Sequence, residues 1–142
     1  MIAWCAAAAA YAVGDEAAAA ALEEYGRAVG VAFQITDDVL DYSEHTGKAP
    51  GADLRERKVN LPLLLAMSRI PGLRERLSRR APTPDELPGL MAEIENCGAL
   101  DDALDVARRY VDRGIGALAV LPDSDARQAL EVLGRFLVER RR

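Results

Sequence analysis

A chain of 142 residues, half of them hydrophobic and only 5% aromatic, is the size of one domain and has the composition of closely packed helices. Its net charge of −5 at pH 7 leaves no basic stripe and argues against a nucleic-acid surface. Two cysteines, Cys5 and Cys97, give no disulfide framework and suit small buried residues in a reducing, cytoplasmic setting.

The opening MIAWCAAAAAYAVG is apolar, but no Lys or Arg precedes the apolar run as a secretory leader requires. It is also shorter than the roughly 20 apolar residues of a membrane span, so no transmembrane segment is expected. It reads as a buried, Ala-rich helix over 1–13, closed by Gly14 in the C′ position. Asp15 can cap a long second helix, predicted over 16–43. Gly26 and Gly30 lie four apart inside it, and each costs about 1 kcal/mol relative to alanine. A close helix neighbour, or a ligand beside the backbone, would explain them. Residues 45–58 read as a loop punctuated by Gly47, Pro50 and Gly51, and His45, the sole histidine, as a surface residue of it.

Asn60 can cap the next helix, with Pro62 in its first turn. Leu61, Leu63, Leu64, Leu65 and Met67 make that helix apolar on nearly every side, as expected for the core. Pro71-Gly72 breaks the chain, and Arg74, Arg76, Arg79 and Arg80 read as a solvated face. Thr83, Pro84 and Glu86 form a capping-box start for a helix ending at Cys97-Gly98. A further helix is predicted over 99–121 and a last one over 125–139, with Leu130, Leu133, Phe136 and Leu137 as its apolar stripe. The expected fold class is all-α, with 1–142 a single helical domain.

The stretch carrying most chemistry is GRAVGVAFQITDDVLDYSEHTGKAPGADLRERK, residues 26–58. At the helical period Asp37 and Asp41 share a face, Asp38 is a quarter-turn away, and Gln34 sits one turn earlier. Like charges at i,i+4 destabilise a helix by roughly 0.2–0.5 kcal/mol per pair, a penalty a cation removes. Mg2+ takes one or two carboxylates plus phosphate oxygens, and lysine binds phosphate as a point charge. Carboxylates followed by Lys48 and Lys58 therefore fit a Mg2+-bound polyphosphate. The bare D-D-x-x-D pattern is a cheap match, and the chain repeats it at Asp101, Asp102 and Asp105. There it falls in the first two turns of a helix, where the macrodipole favours acidic residues.

The combination GRAVGVAFQITDDVLDY…GKAPGADLRERKVNLPLLLAM resembles the second aspartate-rich region of the trans-isoprenyl (polyprenyl) diphosphate synthases. The C-terminal sequence from Gly98 also resembles the tail of that family. The resemblance implies an all-helical bundle of the isoprenoid synthase type and the condensation of isopentenyl diphosphate with an allylic diphosphate, using Mg2+. It implies that Asp37, Asp38 and Asp41 ligate the metal. Lys48 and Lys58 would contact the diphosphate, Phe33 and Gln34 would line the pocket, and Asp53 would support the site. Asp37, Asp38 and Lys48 would be the catalytic set. Arg57 and Asn60 stand where glycine and threonine are expected.

Nothing in the chain matches the family's first aspartate-rich motif or the basic residues that hold isopentenyl diphosphate, and complete members are roughly twice this length. The expectation is thus the C-terminal half of such an enzyme, acting with a missing half or in a homo- or hetero-oligomer. Alternatives are a non-catalytic helical subunit or remnant of such an enzyme, and a terpene cyclase of related fold. Product chain length is not encoded in these residues.

Overall fold

The structure, a computed structural model, describes residues 1–42 and 51–139. All regular structure among them is helical, as the composition predicts. Among the described residues, no helix is long and apolar enough to cross a membrane. The described residues divide into two compact units, one made of Met1–Gln34 with residues 106–139, the other of Ile35–Asp105.

The first unit contains α1 (Ile2–Ala12), most of α2 (Glu16–Leu40), the end of α7 (Ala99–Ala117), a 3-10 turn at Leu118–Val120, and α8 (Asp125–Glu139). Gly14 ends α1 at φ +75°, and Asp15 caps α2 by accepting the Ala18 N–H at 2.9 Å. The glycine pair separates in role. A Cβ on Gly26 would stand 2.6 Å from Ala3 Cα, so α1 can lie against α2 only because that side chain is absent. A Cβ on Gly30 would meet nothing closer than 3.7 Å. α1 buries only Ala7 and Ala10, and Trp4 is 76% exposed. The helix predicted to be buried thus turns just a small-residue face inward.

Tyr25, Val29 and Leu118 centre the core of this unit, with Leu22, Leu121, Leu130 and Leu137 packed against them. Tyr25 donates its hydroxyl to the Leu130 carbonyl at 2.6 Å. At Gly134 α8 approaches Val111 and the Tyr25 ring, where even a Cβ would stand at ordinary van der Waals distances of 3.4 and 3.6 Å. That approach sets which face of α8 is buried, and the predicted stripe divides. Leu130 and Leu137 pack inward, while Leu133 and Phe136 face outward, Phe136 at 59% exposure.

The second unit contains the end of α2, α3 (Ala52–Glu56), α4 (Leu61–Arg69), α5 (Leu73–Arg79), α6 (Leu87–Asn96) and the start of α7. Leu54, Leu63, Ala66, Leu73, Ile94 and Ala99 form its buried centre, joined by the Tyr42 ring. Leu64 of α4 is exposed, so that helix is less thoroughly enclosed than its composition predicts. Two members of the arginine run find partners, Arg76 on Glu93 at 2.9 Å and Arg80 on Glu86 at 2.7 Å.

The capping box forms only in part. Glu86 reaches back to the Thr83 N–H at 2.8 Å, yet 84–86 are a turn and α6 begins at Leu87. Pro88 is the reason. It has no N–H for a helix starting at Pro84, but it fits the first turn of one starting at Leu87. At the other end of α6, Gly98 takes φ +75° and Arg69 donates to the Cys97 carbonyl at 3.0 Å, placing a cation at a helix C-terminus. The same guanidinium pairs with Asp102.

Candidate functional site

Asp37 and Asp38 stand half-buried in the last turn of α2. A helix C-terminus carries partial negative charge and disfavours an adjacent carboxylate by about 0.3–1 kcal/mol. Two successive aspartates there, with Asp41 just beyond, concentrate negative charge that a cation would relieve.

Asp41 lies past the helix end rather than within the helix, as the predicted 16–43 span would have it. Its N–H still donates to Asp37 O at 3.2 Å, and the Tyr42 N–H closes a tighter turn on Val39 O at 3.1 Å. Burial of the Tyr42 ring draws the chain inward at this point. Asp41 then accepts twice from the segment leading into α3. Its backbone carbonyl takes the Gly51 N–H at 2.8 Å, and its Oδ2 takes the Asp53 N–H at 2.9 Å. Gly51 sits at φ +75°, where a Cβ would come within 3.2 Å of Met91 Sδ. A side chain there is strained by the backbone, and Met91 would have to give way by a few tenths of an ångström.

Asp53 is held at every polar group. Beyond the bond from its N–H to Asp41, its carbonyl accepts the Lys58 N–H at 2.9 Å. Its Oδ2 accepts from Asn60 Nδ2 at 3.0 Å, and its Oδ1 lies 3.7 Å from Lys58 Nζ. Lys58 Nζ is also 2.6 Å from Glu56, whose carboxylate is the larger cause holding the ammonium pKa above its ordinary value. The Lys58 side chain remains 62% exposed.

Asn60 joins three elements. Its Oδ1 caps α4 by accepting the Leu63 N–H at 3.0 Å and accepts the Tyr42 hydroxyl at 3.3 Å, while its Nδ2 donates to Asp53. These partners fix the amide orientation, since oxygen must face the donors and nitrogen the carboxylate. Burial pushes the Tyr42 hydroxyl pKa well above its ordinary value, and the charges of Asp41, Asp53 and Asp38 add to the effect. Tyr42 is therefore a fixed neutral donor among these carboxylates. Arg57, between Lys58 and α3, takes a left-handed φ of +54°.

The structure thus brings Asp41, Asp53 and Lys58 together and sets Asp37 and Asp38 on the helix that delivers Asp41. Phe33, half-buried, and Gln34, exposed, precede them on α2 but belong to the other unit. Lys48 and His45 lie outside the described residues. Sequence reasoning missed the wider roles of Tyr42 and Asn60. The cap signature at Asn60 was visible, but its bond to Asp53 was not. In the second D-D-x-x-D, Asp102 serves the Arg69 junction at the start of α7, consistent with a structural reading of that repeat.

Among the described residues, no group of three or more His, Cys, Asp or Glu side chains is gathered for a metal ion. The donor chemistry at the end of α2 nevertheless suits a hard cation. Mg2+ needs only one or two carboxylates when water and phosphate oxygens complete its shell.

The sequence model of the polyprenyl synthetase family matches residues 1–94. The chain is 40% identical over 144 aligned residues to the octaprenyl diphosphate synthase of Haemophilus influenzae, covering 94% of this chain and 43% of that one. It is 35% identical over 127 residues to decaprenyl-diphosphate synthase subunit 1 of Schizosaccharomyces pombe, covering 87% of this chain and 34% of that protein. Among solved structures, the polyprenyl synthase of Caulobacter crescentus, in complex with calcium and isoprenyl diphosphate, superimposes with a TM-score of 0.90 at 42% identity, covering 99% of this chain and 46% of that one. The chain therefore belongs to the polyprenyl synthetase family, and its fold is that of the helical isoprenyl synthases. It spans less than half the length of each of these three relatives.

Proposed function

We propose that this chain supplies the second aspartate-rich segment of a prenyl-transfer site, which joins isopentenyl diphosphate to an allylic diphosphate. The observation that carries the reading is the Asp41–Asp53–Lys58 cluster at the end of the helix bearing Asp37 and Asp38. It belongs to a chain 42% identical to a synthase whose structure holds calcium and isoprenyl diphosphate. In this reading Asp37 and Asp38, with Asp41 behind them, hold Mg2+. When bound, the cation supplies positive charge against the departing diphosphate.

The chain's own residues have three tasks. Lys48 and Lys58 bind diphosphate oxygens as point charges. Gln34 and Phe33 line the allylic pocket. Apolar helix faces exclude water from the allylic cation formed when the carbon–oxygen bond breaks. The opposing carboxylates and the isopentenyl diphosphate subsite come from residues outside this sequence, in the rest of a longer domain or in a partner chain. The outward-facing Trp4 of α1 and Phe136 of α8 are surfaces such a homo- or hetero-oligomeric partner would cover.

The test is a chimera in which this chain replaces the matching 46% of the Caulobacter crescentus synthase. It should form prenyl diphosphate. Asp37→Ala or Lys48→Ala should cut turnover by about a hundredfold or more, while helicity by circular dichroism stays unchanged. An active chimera indifferent to both substitutions removes the site assignment. A folded but inactive chimera favours a non-catalytic subunit.

A further inference from the structure

We propose that Asn60 is a positioning residue for anion binding, aiming the Lys58 ammonium through Asp53. This rests on the reading of Lys58 as a diphosphate contact and adds how the lysine is held. Lys58 is a long, exposed side chain that would otherwise sample many rotamers. Glu56 and Asp53 converge on its nitrogen, at 2.6 and 3.7 Å. Glu56 is itself exposed and lies two residues away in the chain, so it gives the ammonium little fixed direction. Asp53 does give direction, because its own N–H, carbonyl and Oδ2 are each held by a partner.

Asp41 fixes the Asp53 backbone N–H, the Lys58 N–H fixes its carbonyl, and Asn60 Nδ2 fixes Oδ2, leaving Oδ1 turned toward Lys58 Nζ. Asn60 is anchored in turn by the α4 backbone at Leu63 and by the buried Tyr42 hydroxyl. Leu63 and Tyr42 both belong to the packed core of this unit. Direction thus passes from that core through one amide group to an exposed cation. Asparagine is suited to this task because it accepts at one atom and donates at another. Aspartate offers only acceptors when ionised, and threonine has a single hydroxyl.

That difference supplies the test. Asn60→Asp keeps an oxygen for the Leu63 N–H and the Tyr42 hydroxyl but loses the donor to Asp53. Binding of inorganic pyrophosphate in the presence of Mg2+ would be measured by titration calorimetry on the full chain, for wild type, Lys58→Gln and Asn60→Asp. Circular dichroism would monitor helicity. At about pH 8 both variants should bind about tenfold more weakly than wild type, with helix content retained. At about pH 5 the carboxyl introduced by Asn60→Asp, whose pKa the facing Asp53 carboxylate raises, is protonated in part and can donate again, so the gap between that variant and wild type should narrow. The gap for Lys58→Gln should not.

Weakening by Lys58→Gln with wild-type binding by Asn60→Asp would overturn this inference alone. Weakening by both with no recovery at low pH would also overturn it, because simple structural damage predicts that result. Weakening by neither would overturn the reading of Lys58 itself, and this inference with it.

Discussion

Arg57 occupies a left-handed backbone conformation, φ +54°, at the end of α3, where the family resemblance leads one to expect glycine. An L-residue pays roughly 1–2 kcal/mol for that conformation and glycine does not. Arg57→Gly should therefore stabilise the chain by up to about 1 kcal/mol once the extra freedom of the unfolded glycine is counted. It should raise the melting temperature by a few degrees, and a lower one would contradict the strain argument. Glu86 offers a second test at this scale. Its hydrogen bonds from Arg80, then from the Thr83 N–H, hold its pKa at about 2, against an ordinary 4.5. A depressed carboxyl pKa contributes stability that is complete above the ordinary value and is lost as pH falls through the folded one. The melting temperatures of wild type and Glu86→Gln should differ at neutral pH and converge between about pH 4.5 and pH 2. A difference that persists at pH 2 would assign the effect to something other than this charge.

At the scale of helices, Gly26 and Gly30 look alike in the sequence and differ in the fold. Gly26→Ala would press a Cβ to 2.6 Å from the Ala3 backbone. Separating α1 from α2 should cost about 1–3 kcal/mol, more than the roughly 1 kcal/mol that alanine gains in a helix. Gly30→Ala meets only the Ile2 side chain at 3.7 Å and should gain most of that helical preference. Urea unfolding of the two variants should shift in opposite directions, and a shared direction would contradict the packing described. The contrast shows what the sequence could convey. Caps and breakers act locally, so Asp15, Asn60, Pro71-Gly72 and Gly98 placed helix ends within a few residues. Which face of a helix is buried depends on neighbours distant in sequence. Leu133, Phe136 and Leu64 therefore turned out exposed, and the bond from Asn60 to Asp53 was invisible. At α6 two local signals competed, the Thr83–Glu86 box and Pro88, and only the structure shows that proline decides the start.

For the molecule as a whole, helix-rich composition and the GxAFQ–DD–GK–GAD order made the fold class and the family legible. The division into two compact units was not, because it follows from contacts and not from any break in the sequence; α2 and α7 run through it. The central claim is that the end of α2 and the segment after it form a carboxylate-and-lysine half-site for a metal-bound diphosphate. The most direct test titrates the purified chain with inorganic pyrophosphate in Mg2+ and again in a chelator, alongside Asp37→Asn. The account predicts binding that requires Mg2+ and weakens by at least about tenfold in Asp37→Asn. Binding that is equal without Mg2+ or unchanged in Asp37→Asn, or no binding at all, would contradict it.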